Sequence, residues 1–251
     1  MPLALVTGAS AGLGAEFARQ LAARGYDLIL VARSSERLEI VAAELRAAPA
    51  VHATVMPADL TDPVARASIE DRLADASVPI DLLVNNAGLG LMLSFEANRI
   101  ESEQHLIDLM VTAPMRLMHA VLPPMLARGS GIIVNVASVA GYTPRSTYGA
   151  AKAWLISFSR WASVHYRPLG VTVTAVVPGF VHTEFHDRMS ADKSSVPGWM
   201  WMDAERVVRE ALDAADRGRR VVVPGKRYKA LVALSRVLPA PLAAKGALRG
   251  R

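Results

Sequence analysis

The chain has 251 residues, 52% of them apolar, which is enough material for one α/β domain with a sizeable core. It contains no cysteine, and this excludes disulfides, thiolate metal sites and nucleophilic cysteine chemistry. The net charge of +5 rests mostly on arginines that are dispersed until the C-terminal segment, and no nucleic-acid-binding motif accompanies them, so no nucleic-acid partner is expected.

Leu3 to Val6 reads as a first strand. No basic stretch or cleavage site precedes it, and charges or Gly/Pro interrupt each apolar run before transmembrane length; a cytoplasmic protein is the expectation. The strand runs into Thr7-Gly-Ala-Ser-Ala-Gly-Leu-Gly14 and then an amphipathic helix, Ala15 to Arg24. Glycines at 8, 12 and 14 between a strand and a helix let backbone approach a pyrophosphate, with the N–H groups of the helix start facing its charge. A plain tight turn is the alternative.

The second strand, Leu28 to Ala32, ends at Arg33. In a dinucleotide fold an acidic residue at that place holds the ribose 2′-hydroxyl, whereas an arginine accommodates a 2′-phosphate. Arg33 therefore argues for NADP(H) over NAD(H), although an arginine hydrated at a loop would look the same. Ser34 can cap the next helix and reach the phosphate, while Ala11 adds no second positive charge to the glycine loop.

Ser35 to Ala47 reads as a helix with Leu38, Val41, Ala42 and Leu45 inward. Val51 to Met56 alternates as a third strand, closed by Pro57-Ala-Asp59-Leu60, and Asp62 with Pro63 starts another helix. A fourth strand, Ile80 to Val84, ends in Asn85-Asn86-Ala87-Gly88, where two amides can tie neighbouring strands and a glycine can leave space; a turn alone would also account for them. Glu101 to Arg128 carries one long helical pattern, which Pro114 interrupts and Pro123-Pro124 bends or ends.

Ile132 to Ala137 is apolar and β-branched, a buried parallel strand that ends at Ser138. After a short loop, Ser146 to Arg167 reads as a helix, with Tyr148 and Lys152 four residues apart on one face. An ammonium beside a phenol favours phenolate and lowers the tyrosine's pKa, which equips the pair to shuttle a proton. Taken alone, the two could be an ordinary exposed pair. Val171 to Val177 is a sixth strand, closed by Pro178-Gly179. Residues 180–202 have no clean period, are rich in Met and Trp, and read as a flexible substrate lid. Asp203 caps a helix to Arg217, and Arg220 to Val223 is a seventh strand. Residues 226–251 form a basic amphipathic tail that packs on protein in preference to lying on a membrane surface. His182 and His186 have no metal-ligand cluster around them, and no metal is expected. The alternation implies a single doubly wound (Rossmann) domain spanning 1–251, with a seven-stranded parallel sheet flanked by helices.

Taken in order, the Thr7–Gly14 loop, Asp59, Asn85-Asn86-Ala87-Gly88, Ser138, Tyr148-Gly-Ala-Ala-Lys152 and Pro178-Gly-Phe-Val-His-Thr183 resemble the classical short-chain dehydrogenases/reductases along essentially the whole chain. The N-terminal half is most similar to bacterial reductases of the carbonyl, 3-oxoacyl and hydroxysteroid type. The resemblance implies that Gly8, Ser10, Gly12, Leu13 and Gly14 cradle the cofactor phosphates and that Asp59 and Leu60 lie along the adenine. It places Asn86, Ala87 and Gly88 on the ribose side and Pro178, Gly179, Val181 and Thr183 around the carboxamide. Tyr148 would be acid in reduction and base in oxidation, Lys152 would lower its pKa and hold the nicotinamide ribose, and Ser138 would bind the substrate oxygen. It also implies a homodimer or homotetramer through the helices beginning near Glu101 and Ser146. Two departures stand out. Met110 occupies the position of a family asparagine that supports a helix irregularity and a water path to the lysine; a methionine there also simply packs. Ser138 precedes Tyr148 by only ten residues, a shorter loop than is common.

The expected activity is NADP(H)-dependent interconversion of a ketone or aldehyde and an alcohol. Phe180, Phe185, Met189, Trp199, Met200, Trp201 and Met202 suggest an apolar substrate. Two other readings stay open: a dinucleotide sensor with little turnover, kept alive by Met110, and NAD-dependent oxidation, which turns on Arg33.

Overall fold

A computed structural model of the chain describes residues 1–47, 51–91, 94–143, 145–184 and 196–235. Strands β1 (Leu3–Thr7), β2 (Asp27–Ala32), β3 (Ala53–Pro57), β4 (Leu82–Asn85), β5 (Gly131–Val136), β6 (Val171–Val176) and β7 (Val221–Val222) form one sheet. All pairs are parallel, in the order β3-β2-β1-β4-β5-β6-β7. This is the doubly wound, seven-stranded Rossmann arrangement expected.

Period-two alternation sorts each central strand between two layers. Ala4, Val6, Leu28 and Leu30 pack on one face with Phe17 and Leu21 of α1 (Gly12–Ala23) and Leu38 of α2 (Ser35–Arg46). Leu5, Ile29 and Val31 pack on the other, with Ile69 of α3 (Pro63–Ala74), Leu117 and Val121 of α5 (Ala113–Ala127) and Leu155 of α6 (Ser146–Tyr166). The remaining helices are α4 (Ile100–Ile107), α7 (Ala204–Asp216) and α8 (Lys226–Ser235). Val208 and Leu212 bring α7 onto the α1 layer.

Side-chain caps start two of the helices, α2 and α3. Ser34 accepts from the Arg37 N–H at 3.3 Å, and Asp62 accepts from Val64 N–H at 2.9 Å with Pro63 behind it. Asp203, by contrast, makes no side-chain cap on α7, a correction to the expected role. The first helix begins at Gly12, not Ala15, and Ala11 before it offers no capping side chain.

The long pattern from Glu101 to Arg128 resolves into α4, a π-helical turn at Asp108–Thr112, and α5. The proline pair does not end α5, which runs through it to Ala127. Proline removes a donor but keeps its acceptor: the Pro124 carbonyl still takes the Arg128 N–H at 3.3 Å. The helical stretch Ile100–Ala127 is long and apolar enough by composition to cross a membrane, contrary to the expectation that no run reaches that length. Its apolar side, including Leu117, Val121 and Met125, is buried on the sheet.

Candidate active site

The strand order reverses between β1 and its neighbours β2 and β4, and ligands of open α/β sheets bind in the crevice at such a switch point. Two segments leave the C-terminal edge there: the glycine loop after β1 and Asn85-Asn86-Ala87-Gly88 from the end of β4. Thr7 locks them together. Its hydroxyl donates to the Val84 carbonyl at 3.2 Å and accepts from the N–H groups of Asn86 at 2.9 Å and Ala87 at 3.1 Å. The Asn86 amide adds bonds to the carbonyls of Thr7 at 2.9 Å and Gly8 at 3.3 Å. Asn86 is thus a brace for the loop in this structure, and Thr7, which opens the glycine motif without an assigned role in the sequence, is its keystone.

The loop is packed to the limit. Gly8 and Gly12 have φ of +66° and +56°, a region that costs other residues strain. A methyl group at Gly14 would lie 2.1 Å from the Gly8 carbonyl oxygen and 2.6 Å from Asn86 Nδ2. At Gly12 it would press on the Thr183 side chain at 3.2 Å, which brings Thr183 onto the loop across the cleft. Bare backbone, half-buried Ser10 and Leu13, and an uncapped helix start fit the pyrophosphate of a dinucleotide. Gly88 is looser, because a methyl group there would meet nothing closer than 3.8 Å.

Arg33 follows β2 directly and is exposed. It lies near enough to Asp59 to act on its titration. Burial raises the Asp59 carboxyl, but bonds from the Thr61 hydroxyl and N–H and the charges of Arg33 and His105 outweigh it and hold the group below its usual range. Those bonds are 2.7 Å and 2.9 Å long. Leu60 beside it is buried.

Tyr148 and Lys152 share the first turns of α6, facing β5. The Lys152 Nζ donates to the Val136 carbonyl at 2.7 Å and lies 5.8 Å from the centre of the Tyr148 ring. Ser138 caps the short 3-10 turn Val139–Tyr142 through the Ala140 N–H at 3.2 Å. Despite the short loop, its hydroxyl is near enough to the Tyr148 phenol to favour the phenol's ionised form. The expected lowering of the tyrosine by its lysine is not found. Tyr148 is half-buried, and burial pushes the phenol up from its ordinary 10; the Ser138 hydroxyl and the Arg145 charge oppose this without winning. Burial also pushes Lys152 down to about 8. The ammonium turns to a backbone carbonyl and burial penalises both charged forms, so desolvation outweighs mutual attraction.

Met110 sits inside the π-helical turn, 2% exposed. The irregularity is therefore present without an asparagine side chain. Next to it is a small cavity of about 10 Å³, lined among others by Met110, Asn85, Thr7 and Lys152. That is room for a single water molecule. Asn85 Oδ1 is buried with no protein partner, an arrangement that costs about 1–3 kcal/mol if it stays unbonded.

On the far side of the cleft, Val181 pairs with Met202, which joins the two roots of the segment 180–202. Pro178 holds the Val139 N–H at 3.0 Å. Tyr228 of α8 also clasps the roots: its hydroxyl accepts from Phe180 N–H at 3.0 Å and donates to the Met200 carbonyl at 2.7 Å. Its ring lies where any side chain at Gly179 would have to go. Tyr228 lies in the tail that was expected to pack on protein, and through residue 235 the tail does so, burying Tyr228 and Val232. Nothing in sequence marks Tyr228 as a lid residue, since 48 positions separate it from Phe180. Among the named lid residues, Phe185, Met189 and His186 lie outside the described residues, as does the tail beyond 235. Among the described residues no group of His, Asp and Glu is placed to hold a metal.

The family model for short chain dehydrogenases matches residues 2–194. The chain belongs to the short-chain dehydrogenase family. Sulfoacetaldehyde reductase 2 of Chromohalobacter salexigens is 38% identical over 188 residues, covering 73% of this chain and 74% of that protein. A 3-oxoacyl-[acyl-carrier-protein] reductase of Synechocystis sp. is 37% identical, covering 76% and 78%. Among solved structures, a short-chain dehydrogenase from Sphingobium yanoikuyae in complex with NADPH superposes with a TM-score of 0.86 at 37% identity, covering 94% of each chain. The bulky-bulky ketone specific alcohol dehydrogenase from Comamonas testosteroni gives 0.81 at 34% identity, covering 94% and 92%. This short-chain dehydrogenase is accordingly an oxidoreductase that acts on CH–OH groups with NAD(P) as acceptor.

Proposed function

We propose that this dehydrogenase interconverts an apolar ketone or aldehyde and its alcohol with NADP(H), and that Tyr148 is the acid in reduction and the base in oxidation. The observation that carries the reading is the convergence of Ser138, Tyr148 and Lys152 beside the glycine cradle. When bound, the dinucleotide supplies or removes the hydride. The protein's share is to position and to move the proton. Gly8, Ser10, Gly12, Leu13 and Gly14 hold the pyrophosphate, Asp59 and Leu60 flank the adenine, and Pro178, Gly179, Val181 and Thr183 frame the carboxamide. Asn86, Ala87 and Gly88 form the ribose side. Ser138 orients the carbonyl oxygen toward the Tyr148 hydroxyl, and Lys152 stabilises the phenolate left when that proton is given up. Phe180 and Trp201 wall the substrate side; they lie 5.6 Å apart, ring centre to ring centre, and offer an apolar surface with few polar anchors. Turnover of NADPH with a panel of bulky apolar ketones tests the reading, and cofactor binding without turnover on any of them would favour the sensor reading.

Arg33 supports the phosphorylated cofactor, as does the NADPH held by the Sphingobium relative. Arg33→Asp is expected to weaken NADPH binding by about 10–100-fold, the worth of one charge-assisted contact, and to improve NADH binding. Titrating both cofactors by fluorescence checks it; an unchanged ratio would refute the role of Arg33.

We further propose a cytoplasmic homodimer or homotetramer. On α6, Trp161 and Val164 are 52% and 55% exposed, and Trp161 continues a row of rings through Phe158 to Trp154. On α4 and α5, Ile100 and Met115 are exposed too. Such an apolar face fits a second copy. Trp161→Glu should shift the mass measured by light scattering toward the monomer; an unchanged mass would remove α6 from the interface.

A further inference from the structure

The buried amide chain behind the site has a fixed polarity. The Leu155 carbonyl can only accept, and it takes the Ser159 hydroxyl at 2.6 Å. Ser159 Oγ must then accept from Asn135 Nδ2, which it does at 2.9 Å. Asn135 is left with its oxygen toward Asn85, whose Nδ2 donates to it at 2.9 Å. Turning the Asn85 amide over would set two acceptors against each other. Its own oxygen is therefore directed away from the chain, and it is the buried Oδ1 that lacks a protein partner.

Asn85 lines the one-water cavity together with Lys152 and Met110. The other side-chain oxygen in that wall, on Thr7, is already committed to Val84, Asn86 and Ala87. Lys152 Nζ carries three N–H groups and spends one on the Val136 carbonyl. Met110 brings a thioether, a weak acceptor at best. Its methyl carbon and Lys152 Nζ lie at nearly the same distance, 4.0 and 3.9 Å, from where a methyl on Gly88 would sit. The cavity thus joins one strong, uncommitted acceptor to the remaining donors of the lysine.

We propose that Asn85 is a positioning residue for the Tyr148–Lys152 pair: its amide oxygen holds a buried water against Lys152 Nζ, and that water resupplies the lysine with protons. The proposal rests on the reductase reading. In reduction Tyr148 gives its O–H proton to the substrate oxygen, an N–H proton of Lys152 passes to the phenolate, and an O–H proton of the water passes to the lysine. Solvent then reprotonates the water. One proton enters per turnover and only O–H and N–H bonds change. The work that a side chain at position 110 could have done is thereby moved to β4, which lines the same cavity.

The test is a double-mutant cycle of Asn85→Leu and Met110→Asn, with kcat against pH, NADPH binding and thermal unfolding measured on each variant. Asn85→Leu should lower kcat by roughly 10–100-fold and move its pH profile, somewhat less than removing a proton-transferring group itself. NADPH affinity should hold. In the Met110→Asn background the same change should cost only a few-fold, because the introduced amide takes over the water. An equal loss in both backgrounds with an unmoved pH profile, tracking reduced thermal stability, would overturn the proposal and leave Asn85 a sheet tie. A crystal structure of the wild-type protein decides independently of folding of the variants and of any turnover. A water bonded to both Asn85 Oδ1 and Lys152 Nζ is expected. A dry cavity, or a water held by backbone carbonyls alone, overturns it. Failure of the wild type to reduce any ketone would instead count against the reductase reading, with the water site still judged by the density.

Discussion

Tyr148→Phe should lower turnover by about 10²–10⁴-fold, the usual worth of a positioned general acid, while NADPH still binds. Phenylalanine fills the same volume, so the first turn of α6 stays in place; what leaves is the O–H beside the Ser138 hydroxyl. Single-turnover rates with saturating NADPH separate the chemical step from binding. Retained turnover would move the acid elsewhere and leave Tyr148 a packing residue. The same phenol sets a pH signature in the wild type. Burial raises it above 10, so at neutral pH it is protonated, the form that reduction consumes. Reduction should stay flat through neutral pH, whereas oxidation, which needs the phenolate, should gain as pH rises. An oxidation rate that falls with rising pH would contradict the assignment.

The second large effect is expected at the glycine loop. Gly14→Ala should weaken dinucleotide binding by about 100-fold or more, the scale that displacing a binding group by about 1 Å can cost. The added methyl would lie 2.1 Å from the Gly8 carbonyl oxygen and 2.6 Å from Asn86 Nδ2. Neither atom can retreat cheaply, because the Asn86 amide is bonded to the Thr7 and Gly8 carbonyls and Thr7 is bonded on to β4. The clash must be relieved by moving the loop itself. Fluorescence titration with NADPH reads the loss, and circular dichroism confirms the fold. Gly198→Ala is the control, since nothing lies within 4 Å of its added methyl. Equal binding by both variants would show that the loop tolerates the shift and that the cradle lies elsewhere.

The strands, most helices and the glycine loop were legible in the sequence because each is written in short-range pattern. β1 and β2 alternate between two layers residue by residue, Ser34 and Asp62 cap the helices they precede, and Tyr148 and Lys152 share a helix face by spacing alone. Ser138 and Tyr148 stay near each other despite a shortened loop for a related reason: Ser138 follows β5 and caps a 3-10 turn, Tyr148 lies in the first turn of α6, and the loop between them only has to close.

What tertiary structure alone decided depends on contacts between distant segments. The proline pair does not stop α5, because Leu117, Val121, Leu122 and Met125 pack the helix into the core on either side of it, a contact that local pattern does not reveal. The shift of Tyr148 upward instead of downward follows from how much protein surrounds the hydroxyl and from where Lys152 turns its ammonium, neither of which is a property of spacing. Tyr228 reaches Phe180 and Met200 from a tail whose composition suggested only a packed surface. The free oxygen of Asn85 exists because a carbonyl on α6, which can only accept, orients a serine on the same helix and two amides drawn from two further elements, β5 and β4. Local sequence determines which residues can donate and accept; only the assembled sheet and helices determine which of them are left over.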